Sequence, residues 1–309
     1  MLMSESFSLY EFFQKFPNEE TARVFFENKR WPSGVACAHC GSCDVAECVN
    51  HNPMPYRCRD CRKHFSVRTG TVLTESKLPL HKWLMAIYMM TTARKGIPST
   101  QMARELGVTQ KSAWFLAQRI RETWLSSQSD EPMSGKPVEI DEVYIGGKET
   151  NKHASKKLWQ GRGTVGKHAV FGMLQRGGKV IARIVPANDG ATLQPIIRAT
   201  IASGETVYTD SHGTYFNLKG FDHHIVRHSV GEYVREQAHT NGIESFWALL
   251  KRGYYGIYHF MSAKHLHRYV NEFAFRHNTA KVGAMEFMAM TIARSEGKRL
   301  TYQGLINAA

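Results

Sequence analysis

The chain has 309 residues, of which 42% are hydrophobic and 11% aromatic, a composition that supports a folded core and argues against a disordered chain. The basic residues exceed the acidic ones by 13, which favours a polyanionic partner, with nucleic acid ahead of a membrane surface. The first residues lack the features of a signal peptide. Every apolar run is far shorter than the stretch of about 20 residues that is needed to span a bilayer. We therefore expect a cytoplasmic protein that has no membrane partner.

Residues 1–36 are predicted to form a helical segment. Phe12, Phe13 and Phe16 recur at helical spacing, and Pro17-Asn18 then breaks the pattern before a second helix begins. This arrangement is typical of packing rather than of chemistry.

All six cysteines lie between Cys37 and Cys61, in the compact pattern of a metal site. Cys37-Ala38-His39-Cys40 and Cys58-Arg59-Asp60-Cys61 are two C-x2-C turns at the separation of a four-cysteine zinc site. Each turn can place two thiolates about 2.3 Å from one tetrahedral ion, and four thiolates leave no coordination position open. We predict a zinc ribbon over residues 37–75 in which Zn²⁺ is structural. Four further side chains could replace one of these ligands: Cys43, Cys48, His39 and His51.

Residues 76–128 are predicted to be helical and to end in a helix-turn-helix. Ser99-Thr100 can cap a first helix, Gly107-Val108 forms a turn, and Thr109 caps a second helix. Three-helix units also serve as plain packing devices, but the position of this one behind a zinc ribbon favours DNA binding. The second helix would bring a set of polar and basic residues to DNA: Gln110, Lys111, Ser112, Arg119 and Arg121.

A polar segment at residues 129–137 is predicted to be a linker, followed by a second domain over 138–285 and a C-terminal tail over 286–309. The patterns predict strands near 138–145, 169–175, 179–186, 206–209 and 223–228, and helices near 192–202, 241–253 and 262–277. This order indicates an α/β domain with a mixed sheet and flanking helices.

Three carboxylates of the second domain are candidates for a metal site. Asp141 lies inside an apolar strand, Asp210 ends another strand, and Glu244 lies near the start of a helix. If they converge, they offer the oxygen ligands that Mg²⁺ or Mn²⁺ prefers. Each also has a structural interpretation: Asp141 as a salt bridge at a strand edge, Asp210 as a turn residue, and Glu244 as part of a capping box with Asn241. Lys251, two helical turns after Glu244, could reach a DNA phosphate.

Several motifs together resemble the bacterial insertion-sequence transposases of the ISXO-like class. They are Asp141-Glu142-Val143-Tyr144-Ile145-Gly146-Gly147, Asp210 after its strand, and the blocks at 239–253, 16–20, 30–34 and 258–266. The resemblance covers nearly the whole chain and implies a zinc ribbon before a DDE domain of the RNase H-like fold. It implies that Asp141, Asp210 and Glu244 are the metal-binding triad and Lys251 a basic residue behind it. Asn241 could share or replace the role of Glu244, whereas Glu142 should point to the other face of its strand.

The resemblance further implies a DNA transposase that binds the terminal inverted repeats of an insertion sequence in bacterial cytoplasm. Cleavage at the end of the element would leave a 3′-hydroxyl, which would attack target DNA within a dimer or higher oligomer. The basic segment at 148–168 is expected to be a mobile loop that faces this DNA. Two alternatives remain, namely a DNA-binding regulator without activity and another RNase H-like nuclease such as a junction resolvase.

Overall fold

The computed structural model describes residues 7–125, 131–147, 149–158, 163–226 and 239–307. The chain divides into two compact units, Met1–Leu125 with Lys281–Ala309, and Ser126–Ala280. Within the described ranges, every helix is too short or too polar to cross a bilayer.

Two capped helices open the first unit, α1 (Leu9–Lys15) and α2 (Glu19–Arg30). The side chains of Ser8 and Asn18 accept the N–H groups of the first turns, as N-cap residues do. Of the aromatic residues at helical spacing, Phe12 and Phe16 are buried, whereas Phe13 is exposed.

A small antiparallel sheet follows, made of β1 (Val45–Glu47), β2 (Tyr56–Cys58) and β3 (His64–Phe65). Trp31 and Tyr56 pack against Phe65 with ring centroids 5.7–5.9 Å apart, so aromatic contacts stabilise a sheet that is otherwise too small to hold a core.

Three helices complete this part of the chain, α3 (Leu80–Thr92), α4 (Ser99–Leu106) and α5 (Gln110–Thr123). Gly107 takes the left-handed conformation that ends α4, and the Thr109 hydroxyl accepts the Ser112 N–H at the start of α5. The prediction that Ser99-Thr100 caps α4 is wrong, because Pro98 precedes the helix and Ser99 is its first residue. Proline suits this place since its fixed φ leads into a helix.

The second unit contains a five-stranded mixed sheet. Its strands are β4 (Val138–Ile145), β5 (His168–Gln175), β6 (Val180–Val185), β7 (Thr206–Thr209) and β8 (Asp222–Ile225). The strand order is β6-β5-β4-β7-β8, in which the first three strands form an antiparallel meander and β7 and β8 run parallel to β4. This order and direction make the unit an RNase H-like fold, as expected.

Helices cover both faces of this sheet, α6 (Gly190–Thr200) on one, and α7 (Asn241–Gly253) with α8 (Ala263–Asn278) on the other. Alternate residues of β4 separate the two cores, since Ile140 packs with α6, and Val143 packs with α7 and α8. Each face of the sheet is therefore buried, which fixes the register of the strand that carries Asp141.

The C-terminal segment returns to the first unit as α9 (Ala284–Ala293) and α10 (Tyr302–Asn307). The structure thus differs from the predicted tail over 286–309. Phe287, Met288 and Ile292 are buried, and Trp124 donates its indole N–H to Thr291. The reason is the apolar stripe of α9, which needs a hydrophobic partner and finds it among α2, α3 and α5.

Candidate functional site

The four predicted cysteine ligands converge at one point of the first unit. The sulfurs of Cys37, Cys40, Cys58 and Cys61 all lie within 4.8 Å of one another. The His39 N–H donates to the Cys37 sulfur and the Cys61 N–H to the Cys58 sulfur, each at 3.4 Å, so both turns direct backbone dipoles at thiolates. The two C-x2-C turns are therefore already folded around a common centre.

The donor set of this cluster fits Zn²⁺. Four sulfurs at tetrahedral spacing are the ligands of a closed structural zinc site. Although burial opposes it, the backbone N–H groups of His39 and Cys40 and a hydrogen bond from Cys61 lower the pKa of Cys37 to about 7. Cys43, Cys48, His39 and His51 do not belong to the cluster among the residues that the structure describes.

The arginines of the predicted recognition helix have a structural role. Arg119 and Arg121 are only 5% and 2% exposed. Arg119 donates to the Thr74 carbonyl at 2.6 Å and stacks against Trp83 and Phe115. Of the residues predicted to meet DNA, Gln110 and Lys111 are exposed at the start of α5.

Asp141 and Asp210 lie side by side because their strands are parallel neighbours. In this pairing Val138 faces Val207, and Glu139 faces Tyr208. Two residues further along each strand direction come Asp141, in β4, and Asp210, directly after β7. The Asp210 carboxylate accepts the His212 N–H at 2.9 Å, which fixes the turn that follows the strand.

Helix α7 brings Glu244 to the same face of the sheet. Gly172 pairs directly opposite Asp141, and a Cβ there would lie 2.5 Å from the ring of Trp247. The absent side chain lets Trp247, one turn beyond Glu244, pack against the sheet beside Asp141. Glycine at this position thus allows the close approach of helix and sheet.

Glu244 does not form the capping box that was its structural alternative. Thr240 is the N-cap of α7, Asn241 is already helical, and the Thr240 side chain accepts no N–H of the first turn. The Thr240 hydroxyl donates to the Glu244 carboxylate at 3.1 Å, and the Glu244 side chain is exposed. Lys251 is exposed later on the same helix.

The electrostatics of Asp141 connect the three carboxylates. The pKa of Asp141 is raised to about 7, first by burial and then by the charges of Glu142, Asp210 and Glu244, against a backbone hydrogen bond that lowers it. Unlike the four cysteines, Asp141, Asp210 and Glu244 do not form a close ligand cluster among the described residues. They repel one another, and a hard divalent cation would relieve this repulsion.

Glu142 lies on the opposite face of β4, where its strand alternation places it. Its carboxylate accepts hydrogen bonds from the amide of Asn188 at 2.6 Å and from the hydroxyl of Tyr215. These contacts hold Glu142 in the core beside α6. The basic segment at 148–168 remains an expectation, because residues 148 and 159–162 lie outside the described ranges.

The comparisons with known proteins agree with this architecture. Residues 132–278 match the ISXO2-like transposase domain, and residues 17–64 match the transposase zinc-ribbon domain. The chain is 31% identical over 253 residues to a Halobacterium salinarum protein described as an uncharacterized protein in transposable element ISH50; the match covers 77% of this chain and 83% of that protein. It is 30% identical over 106 residues to an uncharacterized transposase-like protein of Haemophilus influenzae, which covers 34% of this chain and 85% of that protein. With a zinc ribbon ahead of an RNase H-like domain, and with these matches, the chain belongs to the family of ISXO2-like transposases.

Proposed function

We propose that this chain cuts and joins DNA at the ends of an insertion sequence, and that Asp141, Asp210 and Glu244 hold Mg²⁺ or Mn²⁺. The observation that carries the proposal is the neighbouring position of Asp141 and Asp210 on two parallel strands, beneath the helix that bears Glu244. The effect of the Asp210 and Glu244 charges on Asp141 supports it.

The donor set suits a hard divalent cation, because the three side chains offer carboxylate oxygens and no sulfur. When bound, such cations neutralise charge and polarise the oxygens of an in-line phosphoryl displacement. Strand β4 fixes Asp141, the turn after β7 fixes Asp210, and α7 carries Glu244 on the same face. Lys251, exposed two turns after Glu244, binds a phosphate beside the reacting one.

We assign recognition of the element's ends to the zinc ribbon and to α4 and α5. The net charge of +13 supports binding to double-stranded DNA. Gln110 and Lys111, at the exposed start of α5, are the residues that meet base edges. Both ends must be held during joining, so the active form is a homo-oligomer assembled on DNA.

The test is cleavage of an oligonucleotide duplex that carries one of the inverted repeats flanking the gene. We expect Mg²⁺-dependent nicking that leaves a 3′-hydroxyl, followed by joining of that end to plasmid DNA. Asp141→Asn should reduce nicking about a thousandfold or more, because the lost charge stabilisation amounts to several kcal/mol. Glu142→Gln is the matched control, since it changes the neighbouring carboxylate on the opposite face, and it should keep nicking within about tenfold of the wild type.

Other outcomes would support the alternatives. Specific binding of the duplex without nicking under any divalent metal would contradict the proposal and indicate a regulator. Nicking without strand transfer would instead indicate a nuclease of the resolvase type.

A further inference from the structure

A buried carboxylate two residues before Asp141 connects strand β4 to helix α7. Glu139 is 1% exposed, and one of its oxygens accepts the Arg176 Nε–H at 2.9 Å. Its other oxygen accepts the backbone N–H of Ile243 at 2.9 Å. That N–H belongs to the first turn of α7, where N–H groups have no partner within the helix and a negative charge is favourable.

Gly242 permits this contact. A Cβ at Gly242 would lie 2.8 Å from the carboxylate oxygen of Glu139 that accepts the Ile243 N–H. Any side chain there would push the start of α7 away from β4. The glycine in the helical turn before Glu244 is therefore explained by the approach of the Glu139 carboxylate.

Arg176, at the turn after β5, contacts the other elements of the site. Its Nη2 donates to the His239 carbonyl at 2.8 Å, just before α7 begins. Its guanidinium lies over the ring of Tyr208, 4.3 Å from the centroid. Tyr208 pairs with Glu139 across the two strands and precedes Asp210 by two residues. One guanidinium thus contacts β4, β7 and the residue that leads into α7, and the three carboxylates lie in β4, directly after β7 and in α7.

We propose that Glu139 and Arg176 are positioning residues that set the separation of Asp141, Asp210 and Glu244. The inference rests on the proposed metal site. Metal ligands must be held to within about 0.5 Å, and charged side chains that bridge the supporting elements, here the buried Glu139 and the half-buried Arg176, can hold them so. Arginine suits the position because its planar fork donates in several fixed directions, which lysine cannot do.

A buried ion pair can also serve stability alone, so the test needs a matched pair elsewhere in the same unit. Arg276 and Glu272 form one within α8, with Nη2 and Oε1 2.8 Å apart and Glu272 fully buried. This pair lies within a single helix rather than between the carboxylate-bearing elements. Arg276→Lys is therefore the control for Arg176→Lys.

The experiment measures Mn²⁺ binding to the zinc-loaded full chain by calorimetry, together with the thermal unfolding temperature and nicking of the end duplex. We expect Arg176→Lys to weaken Mn²⁺ binding by about 10–100-fold and to lower kcat, with DNA affinity unchanged, because residues that orient metal ligands have effects of this size. Arg276→Lys should lower the unfolding temperature and leave Mn²⁺ affinity unchanged. Gly242→Ala is a second, smaller change, and it should weaken Mn²⁺ binding in the same direction.

The Asp141→Asn variant tests the proposed metal site separately from the positioning role of Glu139 and Arg176. If this variant binds Mn²⁺ as the wild type does, the proposed metal site is wrong. If it loses Mn²⁺ while Arg176→Lys and Gly242→Ala keep the wild-type affinity, the site stands and the positioning role of Glu139 and Arg176 is overturned.

Discussion

The cysteine cluster of the first unit and the carboxylate site of the second differ in how far apart along the chain their side chains lie. Four thiolates lie within 4.8 Å of one another on two local turns, whereas the three carboxylates come from β4, the end of β7 and α7 and form no such close cluster in the described residues. A structural site can be closed, because the ion only has to hold the fold. The proposed metal site instead draws its charges from separate elements, and burial together with repulsion between the carboxylates raises the pKa of Asp141.

The largest effect should follow loss of the zinc site. Cys58→Ala removes a buried thiolate, and structural zinc contributes about 10–16 kcal/mol of apparent binding free energy to such domains. We expect loss of zinc, unfolding of the ribbon and loss of end-duplex binding, measured by metal analysis, circular dichroism and gel shift. Cys43→Ala, an exposed cysteine outside the cluster, is the control and should keep one zinc per chain. Equal zinc content in the two variants would contradict the ligand set.

A second test separates Glu244 from Asn241. Glu244→Gln should reduce nicking about a hundredfold or more, because it removes the charge of a proposed metal ligand that acts on Asp141. Asn241→Ala should change the rate by only a few-fold, about 1 kcal/mol at most, since Asn241 forms no cap. The reverse order of effects, measured with the same duplex, would assign the third ligand to Asn241.

A third test uses the stability of the carboxylate site without added divalent cation. The folded state holds the pKa of Asp141 near 7 against an ordinary value of 3.8, so the folded chain binds more protons between these values. Protonated Asp141 therefore contributes to the stability of the folded state below about pH 4, and this contribution is lost as the pH rises through about 7. Thermal unfolding of the zinc-loaded chain should show this decline, and Asp141→Asn should flatten it. Identical pH profiles for the wild type and Asp141→Asn would show that ionisation of Asp141 does not lower the stability of the folded chain.

The smallest effect should come from Lys251→Ala. A single phosphate contact contributes a slope of about one in the dependence of log affinity on log salt concentration. We expect that slope to fall by about one in fluorescence anisotropy titrations of the end duplex. Lys219→Ala, an exposed lysine of the same unit, is the control. Equal slopes for wild type and Lys251→Ala would remove this lysine from the DNA interface.

Local signals predicted much of this molecule. The two C-x2-C turns identified the cysteine cluster, because all ligands of that site lie close together in the chain. The apolar run around Asp141 predicted β4 with its observed bounds, and strand alternation placed Glu142 on the other face. Both inferences depend on geometry that spans only a few residues.

Local sequence patterns could not predict the tertiary contacts. The packing of α9 into the first unit, the burial of Arg119 and the capping of α7 by Glu139 all join residues far apart in sequence. Nothing local distinguishes Glu139, a buried carboxylate that caps a distant helix, from the other residues of its strand. Gly242 was the available signal, because a glycine inside a helix indicates a close approach.

The most direct test of the central claim is iron-directed cleavage of the protein backbone. Fe²⁺ bound in place of Mg²⁺ in the zinc-loaded chain generates hydroxyl radicals in the presence of ascorbate and peroxide, and mass spectrometry locates the cuts. If Asp141, Asp210 and Glu244 share one metal site, the wild type should be cut near all three residues, and Asp141→Asn should lose all three cuts together. Cuts near only one of them, or cuts that persist in Asp141→Asn, would contradict a shared site.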